Sequence, residues 1–135
     1  MTTAGYSGTP LHRKLGVKPG SRVLLSAAPP GFALDHTPAD AVVHTRAAGS
    51  PYDVILAFCP DRARLDRRFA PLGERLTTAG ALWVAWPKRA SGVATDLDEN
   101  VVRDVGLAEG LVDVKVVAID ETWSTLKFVR RLRDR

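Results

Sequence analysis

The stretch DVILAFC, at residues 53–59, constrains the fold more than any other part of the sequence. It is apolar at nearly every position and dense in Val, Ile, Leu and Phe, which is typical of a strand buried on both faces of a sheet. An amphipathic helical pattern follows it, and then a second apolar run at 81–86. This order indicates an α/β protein in which helices cover a largely parallel sheet.

Short apolar runs and helical patterns alternate along the rest of the chain. Strand patterns cover residues 22–27, 41–45, 53–59, 81–86, 112–119 and 126–132. Helical patterns cover 11–15, a segment that starts after Asp61 and ends at Ala79 and Gly80, and 96–105. The turn at 120–124 is short enough to join the last two strands as an antiparallel hairpin. The sequence thus predicts a Rossmann-like mixed sheet with helices on both faces and a C-terminal antiparallel hairpin.

Both longer helices carry start signals. Asp61 can cap the first of them, and Thr95 with Asp98 forms a Thr-x-x-Asp capping box before the second. Pro71 lies inside the first helix and removes a hydrogen bond, so we expect a kink or two shorter helices there. The apolar stripe of that helix consists of Leu65, Phe69, Leu72 and Leu76.

Composition sets outer bounds on the class of protein. The 135 residues are 45% hydrophobic and 25% charged, as in an ordinary soluble domain, so we expect one domain spanning 1–135. No apolar run reaches the length of a membrane helix, the N-terminus has no secretory pattern, and Cys59 is the single cysteine. A cytoplasmic protein without disulfides is expected.

The order of several segments resembles that of class I S-adenosylmethionine-dependent methyltransferases. The matching segments are LGVKPGSRVLLSAAPPGF, YDVILAF and APLGERLTTAGALWVAW, followed by the terminal strand pair. The resemblance covers about residues 11–132 and implies a methyltransferase-like fold. In that family a Gly-x-Gly-x-Gly loop after the first strand approaches the cofactor, and an acid at the end of the second strand binds its ribose.

This chain departs from that pattern at both places. In the loop at 26–32 only Gly31 is a glycine, two prolines lack N–H donors, and Phe32 is bulky. No Asp or Glu occurs between residues 41 and 52, where His44, Thr45 and Arg46 stand instead. We therefore expect no cofactor, and no S-adenosylmethionine in the ordinary pose, with an atypical cofactor pocket as the alternative.

The second strand raises a question of topology. Only residues 47–52 separate it from the third strand, which is too short for a crossover helix. Either the strand at 41–45 runs antiparallel to the first strand, or it lies at the edge of the sheet with an extended return.

Three further segments resemble a family of short bacterial proteins of unknown function. These segments are YSGTPL, WVAWPKRASGVATDL and DETWSTLKFV. The resemblance implies relatives of unassigned activity, and it assigns no catalytic residue.

Ligands of open α/β sheets settle over the carboxyl ends of the strands. That rule selects nine candidate ligand-binding residues: Gly31, Phe32, Asp61, Trp86, Lys88, Arg89, Ser91, Asp120 and Trp123. Trp86 can stack on a planar ligand while Lys88 meets an anionic group. Trp83 and Trp86 point to opposite faces of one strand, and core packing under the flanking helices is the favoured role of both. The loop at 92–95, before a helix, forms a candidate anion site with Lys88 and Arg89.

Other chemistry has weaker support. Asp120 with Trp123 is either a carboxylate with a raised pKa or a turn cap, and the turn cap is favoured. Lys88 near Ser91 lacks an oxyanion-hole signature, so no catalytic residue is assigned. The histidines fit no metal template, so no metal is expected, and Cys59 is expected to be a buried, inert thiol.

Three classes of function follow. The preferred one is a degenerate methyltransferase-like domain that acts as a binding or regulatory module for a small anionic ligand or a protein partner. The alternatives are an active methyltransferase with an atypical cofactor loop, and a nucleic-acid-associated protein that uses its excess of arginines, given the net charge of +4. A monomer or dimer is expected, with arginines protecting the last strand if it lies at an edge.

Overall fold

A six-stranded mixed sheet organises the computed structural model, which describes residues 8–135. Its strands are β1 (Arg22–Ser26), β2 (Val42–His44), β3 (Tyr52–Phe58), β4 (Leu76–Pro87), β5 (Leu111–Ala118) and β6 (Trp123–Arg130). Their order across the sheet is β2-β1-β3-β4-β6-β5, and the first four strands in this order run parallel to one another. Strand β6 runs antiparallel to both β4 and β5, which confirms the Rossmann-like sheet and its terminal hairpin.

Helices lie on both faces of this sheet. Helices α2 (Arg62–Glu74) and α3 (Glu99–Ala108) pack on one face through Leu65, Phe69, Val102 and Val105. The short helix α1 (Leu11–Lys14) and the irregular segment 27–41 cover the other face. Trp83 packs on the α1 face and Trp86 on the α2 face, so the prediction that they point in opposite directions is confirmed.

Strand β2 lies at the edge of the sheet and runs parallel to β1, so the second of the two predicted topologies is the correct one. The return to β3 spans residues 45–51, which contain no helix or strand and include Gly49 at a φ of 71°. Arg22 holds it by donating hydrogen bonds to the carbonyls of Ala48 and Ser50, both at 2.9 Å, and of Pro51 at 3.1 Å. Its guanidinium also lies 4.7 Å from the centroid of the Tyr52 ring.

The predicted end of α2 is wrong. The helix runs as one element through Pro71 and stops at Glu74, and Leu76 already pairs with Tyr52 as the first residue of β4. Gly80 therefore lies within the strand rather than at a helix end. A Cβ at Gly80 would be 3.0 Å from the carbonyl oxygen of Tyr52, which explains why a glycine is needed where the register shifts.

The N-cap of α3 also differs from the prediction. The helix starts at Glu99, and the Asp98 carboxylate accepts the Val101 N–H at 2.9 Å. Thr95 instead donates its hydroxyl to the Pro60 carbonyl and accepts the Leu97 N–H. The cap of α2 is as predicted, with Asp61 accepting the Arg64 N–H.

Strand β5 forms the edge of the sheet opposite β2, because β6 lies inside the sheet between β4 and β5. The expectation that the last strand could form an edge is therefore wrong. None of the helices within residues 8–135 combines the length and apolar character needed to cross a membrane. Of the segment YSGTPL, Tyr6 and Ser7 lie outside the described residues.

Candidate functional site

The loop after β1 forms a tight turn closed by Phe32. The Phe32 N–H donates to the Pro29 carbonyl at 3.0 Å, and Gly31 has a φ of 83°, as the third position of a type II turn requires. No atom of another part of the described chain lies within 4 Å of a Cβ built on Gly31. The glycine therefore serves the turn rather than a close approach within the protein.

Aromatic rings pack together where β1 and β3 end. The Phe32 ring lies edge-on to Phe58, with 4.9 Å between the ring centroids, and Trp123 meets Phe58 from another side at 5.1 Å. Phe58 is fully buried, whereas Phe32 and Trp123 are partly buried. The loop after β1, the end of β3 and the start of β6 are thus joined by apolar contacts at the edge where a ligand would bind.

A strained residue stands at the start of the same loop. Ala27 has a φ of 57°, in the left-handed region that glycine enters easily and alanine enters at a cost of about 1 kcal/mol. His36 and Asp40, further along the loop, also have positive φ. The connection between β1 and β2 therefore holds its shape against local backbone preference.

The end of β2 is bonded to the return that follows it. The His44 Nδ1 lies 2.6 Å from the Tyr52 hydroxyl, which also accepts the Ala48 N–H at 3.0 Å. Tyr52 is fully buried. His44, which stands where the resemblance implies an acid, is therefore already hydrogen-bonded within the protein.

A cavity of about 360 Å³ opens at the carboxyl end of β4, on the α2 face. It is lined by Trp86, Arg89 and residues 92–98. Its two carboxylates already accept backbone N–H groups: Asp96 from Arg62 at 2.8 Å and Asp98 from Val101. Within residues 8–135, neither Lys88 nor Arg89 forms an ion pair.

The other candidates in this region have local structural roles. Ser91 donates its hydroxyl to the Lys88 carbonyl at 2.6 Å and accepts the Val93 N–H, so it closes a turn. Asp120 accepts the N–H groups of Thr122 and Trp123, both at 2.8 Å, as the turn-cap interpretation predicts. Asp61 caps α2 and forms an ion pair with Arg64.

Four of the nine predicted ligand-binding residues therefore fall into two groups on opposite faces of the sheet. Phe32 and Trp123 pack around Phe58 on the α1 face, and Trp86 and Arg89 line the cavity on the α2 face. Gly31 is exposed in the turn before Phe32. Trp86 is buried in the core, so it presents little of its ring to a ligand.

Sequence reasoning missed a second cavity, of about 320 Å³, between residues 8–12, the loop at 33–36 and Ile119. His12 is buried there, and its Nδ1 lies 3.2 Å from the Asp35 carbonyl oxygen. The two segments are more than twenty residues apart in sequence, and no motif links them.

Cys59 is buried directly after β3. Burial, as the largest cause, raises the pKa of its thiol to about 11, although the positive charge of Arg68 acts in the opposite direction. Arg68 also donates to the Phe58 carbonyl at 2.7 Å. Among the described residues, no group of His, Cys, Asp and Glu side chains could hold a metal ion.

Many arginine side chains of the basic segments bond to the protein itself. Arg62 pairs with Asp66, Arg64 with Asp61, and Arg130 donates to the carbonyls of Gly73 and Leu76. These contacts leave fewer free guanidinium groups for a polyanion than the sequence suggests.

Several solved structures similar to this one are methyltransferases. Ribosomal protein L11 methylase from Lactobacillus delbrueckii subsp. bulgaricus matches with a TM-score of 0.58 and 10% identity, over 88% of this chain and 74% of that one. Magnesium protoporphyrin IX methyltransferase from Synechocystis PCC 6803, solved with bound SAM, matches at 0.57 and 12% identity, over 84% and 71%. The N-methyltransferase NodS from Bradyrhizobium japonicum matches at 0.53 and 15% identity, over 80% and 84%.

These similarities show that the chain has the fold of class I S-adenosylmethionine-dependent methyltransferases. At identities of 10–15%, they show the fold alone. No family model matches the sequence, and no curated protein matches it.

Proposed function

We propose that this protein is a degenerate methyltransferase-like domain that acts as a binding module for a small anionic ligand. The observation that carries the proposal is the turn closed by Phe32, whose ring packs on Phe58 at the end of the first loop. In an active relative, open glycine backbone is expected at this loop.

The loop and the end of β2 both argue against the ordinary pose of S-adenosylmethionine. Pro29 and Pro30 offer no N–H donors, and the only glycine of the turn is used for its positive φ. His44 is bonded to Tyr52 rather than free to hold a ribose diol. The residues present at these two places do not fit the cofactor.

The cavity at the carboxyl end of β4 supports an anionic ligand. Its carboxylates Asp96 and Asp98 keep their negative charge and accept backbone N–H groups, whereas the guanidinium of Arg89 forms no ion pair within residues 8–135 and is the group that would meet an anion. A guanidinium with free donors binds carboxylates and phosphates well. The ligand is thus expected to carry at least one acidic group that meets Arg89.

Calorimetric titration tests the first half of the proposal. We expect no saturable heat from S-adenosylmethionine or S-adenosylhomocysteine injected into the full chain. Binding of either compound with micromolar affinity would refute the loss of the cofactor site.

Thermal unfolding tests the second half, with citrate and inorganic phosphate as the anions. At about one hundred times its dissociation constant, a ligand stabilises the native state by about 2.7 kcal/mol, which is visible as a higher Tm. We expect such a rise in the wild type and its loss in Arg89→Ala. The matched control is Arg131→Ala, which removes the same charge from the chain end; equal losses in both variants would contradict a site at Arg89.

One observation favours an active methyltransferase as the second candidate. Ala27 adopts a left-handed conformation at the start of the loop, where the resemblance implies a glycine, so the backbone path there is one that glycine commonly takes. This candidate predicts transfer of a radiolabelled methyl group from S-adenosylmethionine to a substrate in cell extract, together with cofactor binding in the titration.

A further inference from the structure

Lys127 stands on the α1 face of the sheet, opposite the cavity beside Arg89. Its Nζ lies 5.6 Å from the centroid of the Trp83 ring, a cation–π distance. Trp83 is fully buried, and its Nε1 donates to the Leu15 carbonyl at 3.1 Å. The ammonium group of Lys127 therefore lies over a ring that is buried and hydrogen-bonded in place.

A bulge in β5 brings a second lysine to this place. Asp113 pairs with Phe128 and Val116 pairs with Leu126, so two residues of β5, Val114 and Lys115, stand opposite Lys127. Bulges re-aim side chains and occur often beside functional sites. Lys115 is exposed and therefore free to meet a ligand from solvent.

The third lysine comes from the turn after α1. The bond from Trp83 to Leu15 places this part of the chain against β4, and Lys18 follows three residues later. Its backbone is fixed because the Lys18 N–H donates to the Ser21 hydroxyl at 2.9 Å and the Ser21 N–H donates to the Lys18 carbonyl at 3.0 Å. The side chain of Lys18 is exposed.

These three residues form what we call the lysine cluster: Lys18, Lys115 and Lys127. Burial, followed by the charges of Lys115 and Lys18, lowers the pKa of Lys127. Within residues 8–135, none of the three forms an ion pair with a carboxylate. Three like charges have thus been brought together without an internal counter-charge, an arrangement that a bound anion would stabilise.

We infer that the lysine cluster binds a small ligand carrying a multiply charged phosphate group. Lysine ammonium groups act as strongly hydrated point charges, so three of them select for total charge rather than for the planar shape of one carboxylate. The buried ring of Trp83 is covered by Lys127 and offers no face on which a base could stack. Recognition should therefore depend on the phosphate and little on any group attached to it.

Pyrophosphate titrated into the full chain at low salt is the test, followed by calorimetry and by ¹H–¹⁵N NMR. We expect shifts at the amides of 16–18, 113–116 and 127. Lys115→Gln and Lys127→Gln should each weaken binding about tenfold, equivalent to about 1.4 kcal/mol, because each removes one positive charge from the cluster that faces a multiply charged ligand. Lys115 is exposed, so its variant should keep the fold even if Lys127→Gln is destabilised.

Arg133→Gln is the matched control because it removes one charge from an exposed residue of the chain end. It should leave the affinity within about twofold, because Arg133 lies outside the lysine cluster and Coulomb attraction falls with distance. An equal loss in Arg133→Gln, or no loss in either lysine variant, would overturn the inference. So would tighter binding of mixed-sequence single-stranded DNA than of pyrophosphate, because that would assign the surface to nucleic acid.

The outcome can be separated from that of the proposed function. Shifts confined to residues 86–98 would support the cavity beside Arg89 and overturn the lysine cluster. Binding that survives in Arg89→Ala and is lost in Lys115→Gln would support the lysine cluster alone.

Discussion

The ring of Phe32 meets the ring of Phe58 edge-on, with planes inclined by 66° and centroids 4.9 Å apart. This contact joins the first loop to the end of β3. Because Phe58 is fully buried while the loop has no helix of its own, the aromatic pair holds the loop in place.

Replacing this ring should destabilise the protein. For Phe32→Ala we expect a loss of about 2 kcal/mol in the free energy of unfolding, less than for a fully buried phenylalanine because Phe32 is only partly buried. Urea denaturation measures it, and Phe32→Leu should lose about half as much. An unchanged free energy of unfolding in Phe32→Ala would mean that the turn forms without the ring.

Replacing Gly106 with alanine should destabilise the protein, although helix propensity alone predicts the opposite. Alanine normally stabilises a helix interior by about 1 kcal/mol relative to glycine. A Cβ at Gly106, however, would overlap the Phe128 ring, which is fully buried and packs on Phe69 with centroids 5.3 Å apart. Gly106→Ala should therefore destabilise the protein by about 2–3 kcal/mol in urea denaturation.

Asp104→Ala is the control for this variant, because Asp104 is exposed on the same helix. It should change the free energy of unfolding by about 0.5 kcal/mol or less. A stabilised Gly106→Ala protein would show that α3 can move away from β6 at little cost.

Thr125 should tolerate loss of its hydroxyl. Its Oγ1 is fully buried and is without a hydrogen-bond partner in the described part of the chain. Valine has nearly the same shape and no polar group to desolvate, so Thr125→Val should raise the free energy of unfolding by about 1 kcal/mol. Thr125→Ser keeps the hydroxyl, loses a methyl group and should be less stable than the wild type; a destabilised Thr125→Val would contradict the unpartnered state.

Cys59 should make the protein less stable in alkali. The pKa of its thiol is about 11 in the folded chain against a reference value of 9.0, so the unfolded chain releases the proton first. The stabilisation is therefore complete below pH 9 and is lost as the pH rises toward 11, in total by about 2–3 kcal/mol.

Urea denaturation of wild type and Cys59→Ala across this pH range isolates the effect, because titration of tyrosines and lysines is common to both. Above pH 9, the free energy of unfolding of the wild type should fall steadily relative to that of Cys59→Ala. A constant difference would show that the thiol titrates alike in both states.

The strongest sequence patterns predicted the fold correctly. The doubly buried run at 53–59 is β3, at the centre of the parallel strands, and the short turn at 120–124 does join an antiparallel hairpin. The end of α2 was mispredicted because Leu76 continues the helical spacing, whereas its pairing with Tyr52 decides its structure. The spacing of apolar residues along one segment does not reveal which strand that segment will pair with.

The candidate site was less predictable than the fold. Residues near the carboxyl ends of strands were located from sequence, and the turn cap of Asp120 was predicted correctly. The bond of Ser91 to its own turn was not predicted. The lysine cluster had no sequence signal, because its members lie on separate elements. A bulge and one indole hydrogen bond bring them together.

Arg22 holds the return at 45–51 through main-chain carbonyl oxygens alone. These hydrogen bonds depend on the path of the backbone and do not involve the side chains of the segment. Substitutions at positions 46 and 47 should consequently matter little for this crossing, whereas Gly49 has a φ of 71° that other residues rarely adopt. A single change at Arg22 would remove three hydrogen bonds from the crossing at once.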